Sequence, residues 1–162
     1  IIKQVEVDNA NRIINNAMLH PVLTEMMQNA IDKEVKLRWE HKDVKFKGFA
    51  DLLTTFNGRK CVVDIKTTND AGRRFERDLY YNDYKMQLAM YQDQYDKNTD
   101  AYIVAIETTT PFNVQIYKLD DSLLFKGWMD YDYYTDKFKE WNGEPQGYSD
   151  SIVEVKTETE EI

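Results

Sequence analysis

The dipeptide Asn57-Gly58, set between the runs GFADLLTTF and RKCVVDIKTT, constrains this chain's geometry more than any other feature. Asn-Gly between two strand-like segments is the strongest short-range signal for a two-residue hairpin with a type I′ turn, in which both turn residues take positive φ. Counting outward from the turn puts Phe56 opposite Arg59 and, five pairs further on, Asp51 opposite Asp64. Like charges directly across a ladder are destabilising. A carboxylate pair among Phe49, Leu53 and Val62 therefore needs a reason.

Strand alternation places Val62, Asp64 and Lys66 on one face and Cys61, Val63 and Ile65 on the other. From the partner strand, Phe49, Asp51 and Leu53 are expected on the face of Asp64. Three explanations compete. A surface ion pair between Lys66 and one aspartate is commonplace and worth roughly 0–1 kcal/mol, but it leaves the second carboxylate unexplained. A dyad sharing one proton is poorly served by a neighbouring ammonium, which favours ionising both acids. A divalent cation turns the repulsion into chelation. Hard oxygens converging from two strands suit Mg²⁺, with Mn²⁺ as substitute, and leave Lys66 to position a water or steady charge developing on phosphorus. Spacing alone leaves the ion pair and the metal both open.

At 162 residues with 42% hydrophobic content, the chain has the length of one domain with a sizeable core. No apolar run approaches the roughly 18 residues of a membrane helix, and no membrane partner is expected. The single cysteine, Cys61, excludes an internal disulfide and any all-cysteine metal site, reads as a small core residue, and suits a reducing cytoplasm. The net charge of −8 is unevenly spread: residues 140–162 carry seven acids against Lys156 alone. That leaves a nearly balanced body, with basic clusters in KLRWEHKDVKFK (36–47) and GRRFER (72–77). An anionic substrate at a local basic rim is compatible with this distribution; non-specific coating of duplex is not. Residues 1–148 are expected to form the domain and 149–162 a frayed acidic tail. The first residue is Ile1, so the native start is expected upstream.

Periodicity supplies the elements. Asp8 is a candidate cap for a first helix presenting Ile13, Ile14, Ala17 and Met18. Pro21 opens a second, showing Leu23, Met26, Met27 and Ala30. EVKLRWE (34–40) alternates as a strand, and the hairpin occupies about 44–56 and 59–67. A helix follows over 82–95 with Tyr84, Leu88, Tyr91 and Tyr95 on one stripe. AYIVAIE (101–107) reads as a buried strand, NVQIYKL (113–119) as another, and a closing helix steps through Leu124, Trp128, Tyr131, Thr135 and Phe138. The order ααβββαββα describes an α+β domain: a mixed sheet whose antiparallel meander leads into a crossover helix.

Gly48-Phe-Ala-Asp51, then Asp64-Ile-Lys66, then Gln87-Leu-Ala-Met-Tyr91 resembles the GxxD, (D/E)xK and QxxxY pattern of PD-(D/E)XK nucleases of the RecB-like clan. The wider run DIKTTNDAGRRFERDLYYNDYKMQLAMYQDQY is similar to the RecE-type (exonuclease VIII) branch, and the likeness extends from about residue 12 to WNGEPQGY near 148. The resemblance implies a restriction-endonuclease-like core in which Asp51, Asp64 and the backbone carbonyl of Ile65 hold metal and Lys66 is the catalytic lysine. Gln87 and Tyr91, one helical turn apart, would orient the lysine or DNA, although Tyr91 also reads as a core aromatic. The family's further His or Glu on an early helix is absent, and its motif is expected upstream of Ile1. Glu34 is a candidate to approach the metal from the neighbouring strand, against the plainer reading of a solvated edge charge. His20 and His41 have no partner at ligand spacing and read as structural or surface residues.

The stretch NDAGRRFERDLYYNDY (69–84) leaves the strand just after Lys66. Arg73, Arg74 and Arg77 are candidate phosphate contacts, and Tyr80, Tyr81 and Tyr84 candidate platforms for frayed bases. The competing reading is a basic loop with its aromatics packed on the core. The expected activity is a Mg²⁺-dependent deoxyribonuclease, and the RecE-like likeness implies an exonuclease of linear double-stranded DNA in phage-type recombination, in the bacterial or phage-infected cytoplasm. It also implies a ring-shaped homo-oligomer and a single-strand annealing protein as partner. A structure-specific endonuclease and a non-catalytic DNA-binding or docking module on the same fold are the alternatives.

Overall fold

In the computed structural model, residues 3–96, 98–141 and 143 are described. Two helices, α1 (Gln4–Leu19) and α2 (Pro21–Gln28), precede the meander β1 (Asp32–His41), β2 (Val44–Phe56) and β3 (Arg59–Thr68). Helices α3 (Arg73–Tyr81) and α4 (Tyr84–Asp93) cross to β4 (Asp100–Glu107), followed by β5 (Val114–Leu119) and α5 (Asp121–Glu140). The five strands lie in sequence order; β3 and β4 are parallel and every other neighbouring pair antiparallel. This is the expected α+β architecture with a mixed sheet.

Asn57 and Gly58 take φ of 51° and 72°, so the hairpin turn has the expected primed geometry. Its register also follows the count, from Phe56↔Arg59 to Leu52↔Val63. A second turn with two positive-φ residues, Lys42 and Asp43, joins β1 to β2.

One face of the sheet, carrying Leu37, Ala50, Val62 and Ile103, packs on α3, α4 and α5 through Phe75, Leu79, Leu88, Tyr91 and Leu124. The other, carrying Leu52, Cys61, Val63 and Val104, packs on α1 and α2 through Ala17, Leu23 and Met26. Strand β4 is covered on both sides and buried throughout, as a continuous apolar run requires. The Thr54 hydroxyl donates to the Met26 carbonyl at 2.6 Å and ties α2 to β2.

Several expectations need correction. Asp8 lies inside α1, whose first helical residue is Gln4. Ile14 and Met18 are exposed, and Ala30 lies beyond the end of α2. The buried stripe of α5 is Leu124, Gly127, Tyr131 and Thr135, while Trp128 and Phe138 face outward. Gly127 lets α5 approach the main chain of Lys85 in α4, a gap that any Cβ would fill. Residues 73–81, for which no helix was expected, are helical: Phe75 and Leu79, spaced i, i+4, are the residues this helix buries. The tail 149–162 lies outside the described residues.

Candidate active site

The site forms where β2 and β3 part. Their ladder ends at Leu52↔Val63, while β3 continues beside β4 to Thr68↔Glu107 and β2 continues beside β1. At the parting β1 and β2 turn over together. Ala50 faces α4 and Leu52 faces α2, although residues two apart on a regular strand share a face. The partner pairs Val35↔Ala50 and Lys33↔Leu52 persist, with Glu34 and Asp51 left between them; Glu34 has φ 49°, an uncommon conformation for a residue with a Cβ.

This break corrects the expected sharing of faces. Phe49 is 53% exposed and pairs with Lys36, on the side opposite Ala50 and Val62. Asp51 does not sit in a regular pair with Asp64. Its Oδ2 instead accepts the amide N–H of Ile65 at 2.6 Å, so its carboxylate takes the place of a main-chain acceptor in the gap. In a strand, N–H and C=O of one residue leave on the same edge, so the Ile65 carbonyl also points into the gap. Lys33, Glu34, Asp51 and Ile65 line one open concavity there.

Asp64 is 2% exposed, on the face toward α4. Lys66 Nζ stands 2.7 Å from its Oδ2, an ion pair made against an almost fully buried carboxylate. Burial pushes the Asp64 carboxyl above the usual carboxylate range; Lys66 pulls it back and the Asp51 charge adds to the rise. Lys66 donates to Gln87 Oε1 at 3.1 Å, and Gln87 Nε2 donates to the Tyr91 hydroxyl at 3.2 Å. Tyr91 is 6% exposed and lies against Gly48, where a Cβ would come 2.7 Å from its Cε1. A relay thus runs Asp64, Lys66, Gln87, Tyr91 and ends on the glycine of the GxxD stretch. Tyr91 is both a core aromatic and a member of this relay.

The donor set fits a hard divalent cation. Asp51 and Ile65 line the gap, and Asp64 is near enough for the Asp51 charge to oppose its ionisation while Lys66 pairs with it. Two carboxylates and a main-chain carbonyl thus offer hard oxygens in one neighbourhood. Mg²⁺ accepts one or two carboxylates and keeps waters. Among the described residues no three His, Cys, Asp or Glu side chains group for a metal, so Glu34, exposed at the rim, does not complete a carboxylate triad.

Arg73, Arg74 and Arg77 are exposed on α3, as are Tyr80 and Tyr81. Arg73, Arg77, Tyr80 and Tyr81, with Glu76, line a shallow groove. Tyr84 is not free to stack on a base: Phe75 lies parallel to its ring at 5.8 Å and Lys66 Nζ lies over it at 5.2 Å. Cys61 is fully buried. His20 caps α2, its Nδ1 facing the Leu23 amide at 3.5 Å, and His41 pairs with Asp132 of α5 at 2.9 Å.

Sequence reasoning placed Gly48 in its motif but missed its packing against Tyr91, and it missed Tyr84 as a neighbour of Lys66, and Glu107. The Glu107 carboxylate is buried and accepts the amides of Ala71 and Asn113, both at 3.0 Å, holding the turn that leads from β3 into α3. The i, i+4 pair Phe75/Leu79 was the available signal for α3; nothing in the sequence marked Glu107.

A family model described as "PDDEXK-like domain of unknown function (DUF3799)" matches residues 1–146. The chain belongs to that family. It is therefore a member of the PD-(D/E)XK nuclease superfamily, as the three motifs imply. Its fold is similar to the crystal structure of "Putative exonuclease" from Eubacterium rectale, with a TM-score of 0.66 and 17% identity over 85% of this chain and 54% of that one. The chain thus spans about half the length of that protein. A solved structure of SSO0001 matches with a TM-score of 0.41 and 20% identity, over 80% of this chain and 58% of the other. No curated protein matches. No helix among the described residues is long and apolar enough to cross a membrane.

Proposed function

We propose that this PDDEXK-like domain is a Mg²⁺-dependent DNA nuclease that hydrolyses phosphodiester bonds, acting as an exonuclease on linear double-stranded DNA. The observation that carries the reading is the convergence of Asp51, Asp64, the Ile65 carbonyl and Lys66 at the parting of β2 and β3, with Lys66 anchored by Gln87 and Gln87 by Tyr91. Asp51 and Asp64 would hold the cation, which supplies Lewis acidity toward the scissile phosphate and the attacking water. Lys66 brings a fixed positive charge to the oxygens where negative charge develops, which is worth most in a partly dehydrated site. Gln87 and Tyr91 keep that ammonium from relaxing onto Asp64 alone.

Arg73, Arg74 and Arg77 present cations to backbone phosphates, and Tyr80 and Tyr81 present aromatic faces beside them. A ring-shaped oligomer and an annealing partner are the corresponding assembly.

The deciding experiment incubates the protein with Mg²⁺ and either linear or covalently closed circular DNA, beside Lys66→Ala. Degradation of linear DNA only, lost in Lys66→Ala, is the expected result. Attack on both substrates means an endonuclease. Full-length protein that degrades neither refutes the catalytic reading and leaves a DNA-binding or docking module.

A further inference from the structure

Among the described residues three side chains meet Lys66 Nζ, and the relay accounts for two of them. The third is the ring of Tyr84, whose face lies 5.2 Å beneath Nζ. The Tyr84 ring also packs parallel to Phe75 of α3 at 5.8 Å, and Phe75 stacks in turn on Tyr117 of β5 at 5.7 Å. Tyr117 closes the stack by donating from its hydroxyl to the Ala71 carbonyl at 2.7 Å. Three rings from three elements thus form a column that starts on the turn after β3 and ends under the ammonium.

We propose that Tyr84 is a positioning residue for Lys66, its ring face holding the ammonium over the gap while Phe75 and Tyr117 back the ring. The inference rests on the nuclease reading of the site. Asp64 and Gln87 fix Nζ from two directions, which leaves a long, rotatable stem free to swing about the line between them. A cation is attracted to the face of an aromatic ring by its quadrupole, a force with direction that an aliphatic side chain of equal bulk does not supply. The column gives this contact rigidity, because the Tyr84 ring stacks on Phe75, which is itself 2% exposed and stacked on Tyr117. It also joins the catalytic lysine to α3, the helix whose outer side carries Arg73, Arg74 and Arg77.

A purely space-filling Tyr84 would tolerate any apolar side chain of similar size, so ring and bulk can be separated. Tyr84→Leu is expected to lower kcat on linear DNA about tenfold with KM for DNA within about twofold, because charge placement rather than binding is lost. Tyr84→Phe, which keeps the face, recovers kcat to within about threefold. Manganese uptake by calorimetry stays unchanged in both. Should circular dichroism show Tyr84→Leu to be unfolded, Tyr84→Met is held to the same criteria, since methionine adapts to irregular gaps. Wild-type kcat in the ringless variant, or a loss in Tyr84→Phe as deep as in Tyr84→Leu, overturns the assignment. Activity that survives in Lys66→Ala would instead overturn the nuclease reading itself, so the two failures are distinguishable.

Discussion

Gly48→Ala tests whether the relay behind Lys66 depends on a backbone position remote from the acids. The added Cβ would lie 2.7 Å from Tyr91 Cε1, 3.0 Å from its hydroxyl oxygen and 3.2 Å from Cζ. Ordinary carbon contact begins near 3.5 Å, so the ring must retreat by about 0.8 Å. It has little room: Tyr91 is 6% exposed, and its ring meets the Trp39 ring edge to face at 6.5 Å. Trp39 is itself held by a 2.9 Å bond from Nε1 to the Tyr131 hydroxyl. Overpacking of this kind costs about 1–3 kcal/mol, equivalent to a fall in Tm of roughly 2–12 °C for a chain of this length. The same retreat stretches the 3.2 Å Gln87–Tyr91 bond past hydrogen-bond range and releases Gln87 from its fixed orientation toward Lys66. Loss of kcat by about tenfold or more is expected, since small misplacements at a reacting centre are expensive. Thermal melting and single-turnover digestion of linear DNA read the two effects separately. The diagnostic control is the Tyr91→Leu background, where the ring is gone and Gly48→Ala should cost far less than it does alone. An unchanged Tm and unchanged rate in Gly48→Ala, or equal costs in both backgrounds, would refute the reasoning.

Other substitutions address the acids, the substrate surface and the helix packing. Asp64 binds its proton more tightly folded than unfolded, so its ionisation works against the metal-free fold, a cost that shrinks as pH falls through the carboxyl's raised folded-state range. Asp64→Asn should therefore raise the Tm of metal-free protein at neutral pH, with the gain fading under acid, while calorimetric Mn²⁺ uptake disappears; a lower Tm at neutral pH contradicts this. Replacing Arg73 and Arg74 with Ala should weaken DNA binding and reduce the slope of log K against log salt by about one to two, each lost phosphate contact removing about 0.9; an identical slope removes α3 from the substrate surface. In Gly127→Ala the new Cβ meets the main-chain carbonyl of Lys85, which cannot swing aside, so α4 and α5 must separate at a cost of about 3 kcal/mol, read by denaturant melts. A variant as stable as the parent would show that the two helices slide freely.

The sequence was most legible where chemistry is local. Turn residues placed the hairpin and its register as far as Leu52↔Val63, since Asn57-Gly58 admits few backbone geometries, but the regular pairing of Asp51 with Asp64 did not follow. The buried β4 followed from its unbroken apolar run. What stayed hidden depends on partners distant in the chain. Phe49 is turned outward because both β1 and β2 turn over at Glu34 and Asp51, and no period in either segment announces such a break. Trp128 and Phe138 match the helical period of α5, yet the close approach at Gly127 rotates the buried stripe away from them. Helix α3 was obscured by its charge, with four ionisable residues among its first five, although Phe75 and Leu79 supply enough burial to hold it.

The parting of β2 from β3 also orders events in time. The Asp51–Ile65 bond closes a loop of only fourteen residues, whereas the Lys66–Gln87 contact requires α4 to be laid back across the sheet after β3. Short hairpins close in microseconds, and parallel pairing through a crossover is intrinsically slow. A nascent chain should therefore gather its two acids well before its ammonium is anchored, so that cation affinity precedes the power to cut. Pulse-labelled hydrogen exchange at the Ile65 amide, compared with the appearance of cleavage during refolding, would resolve the two stages.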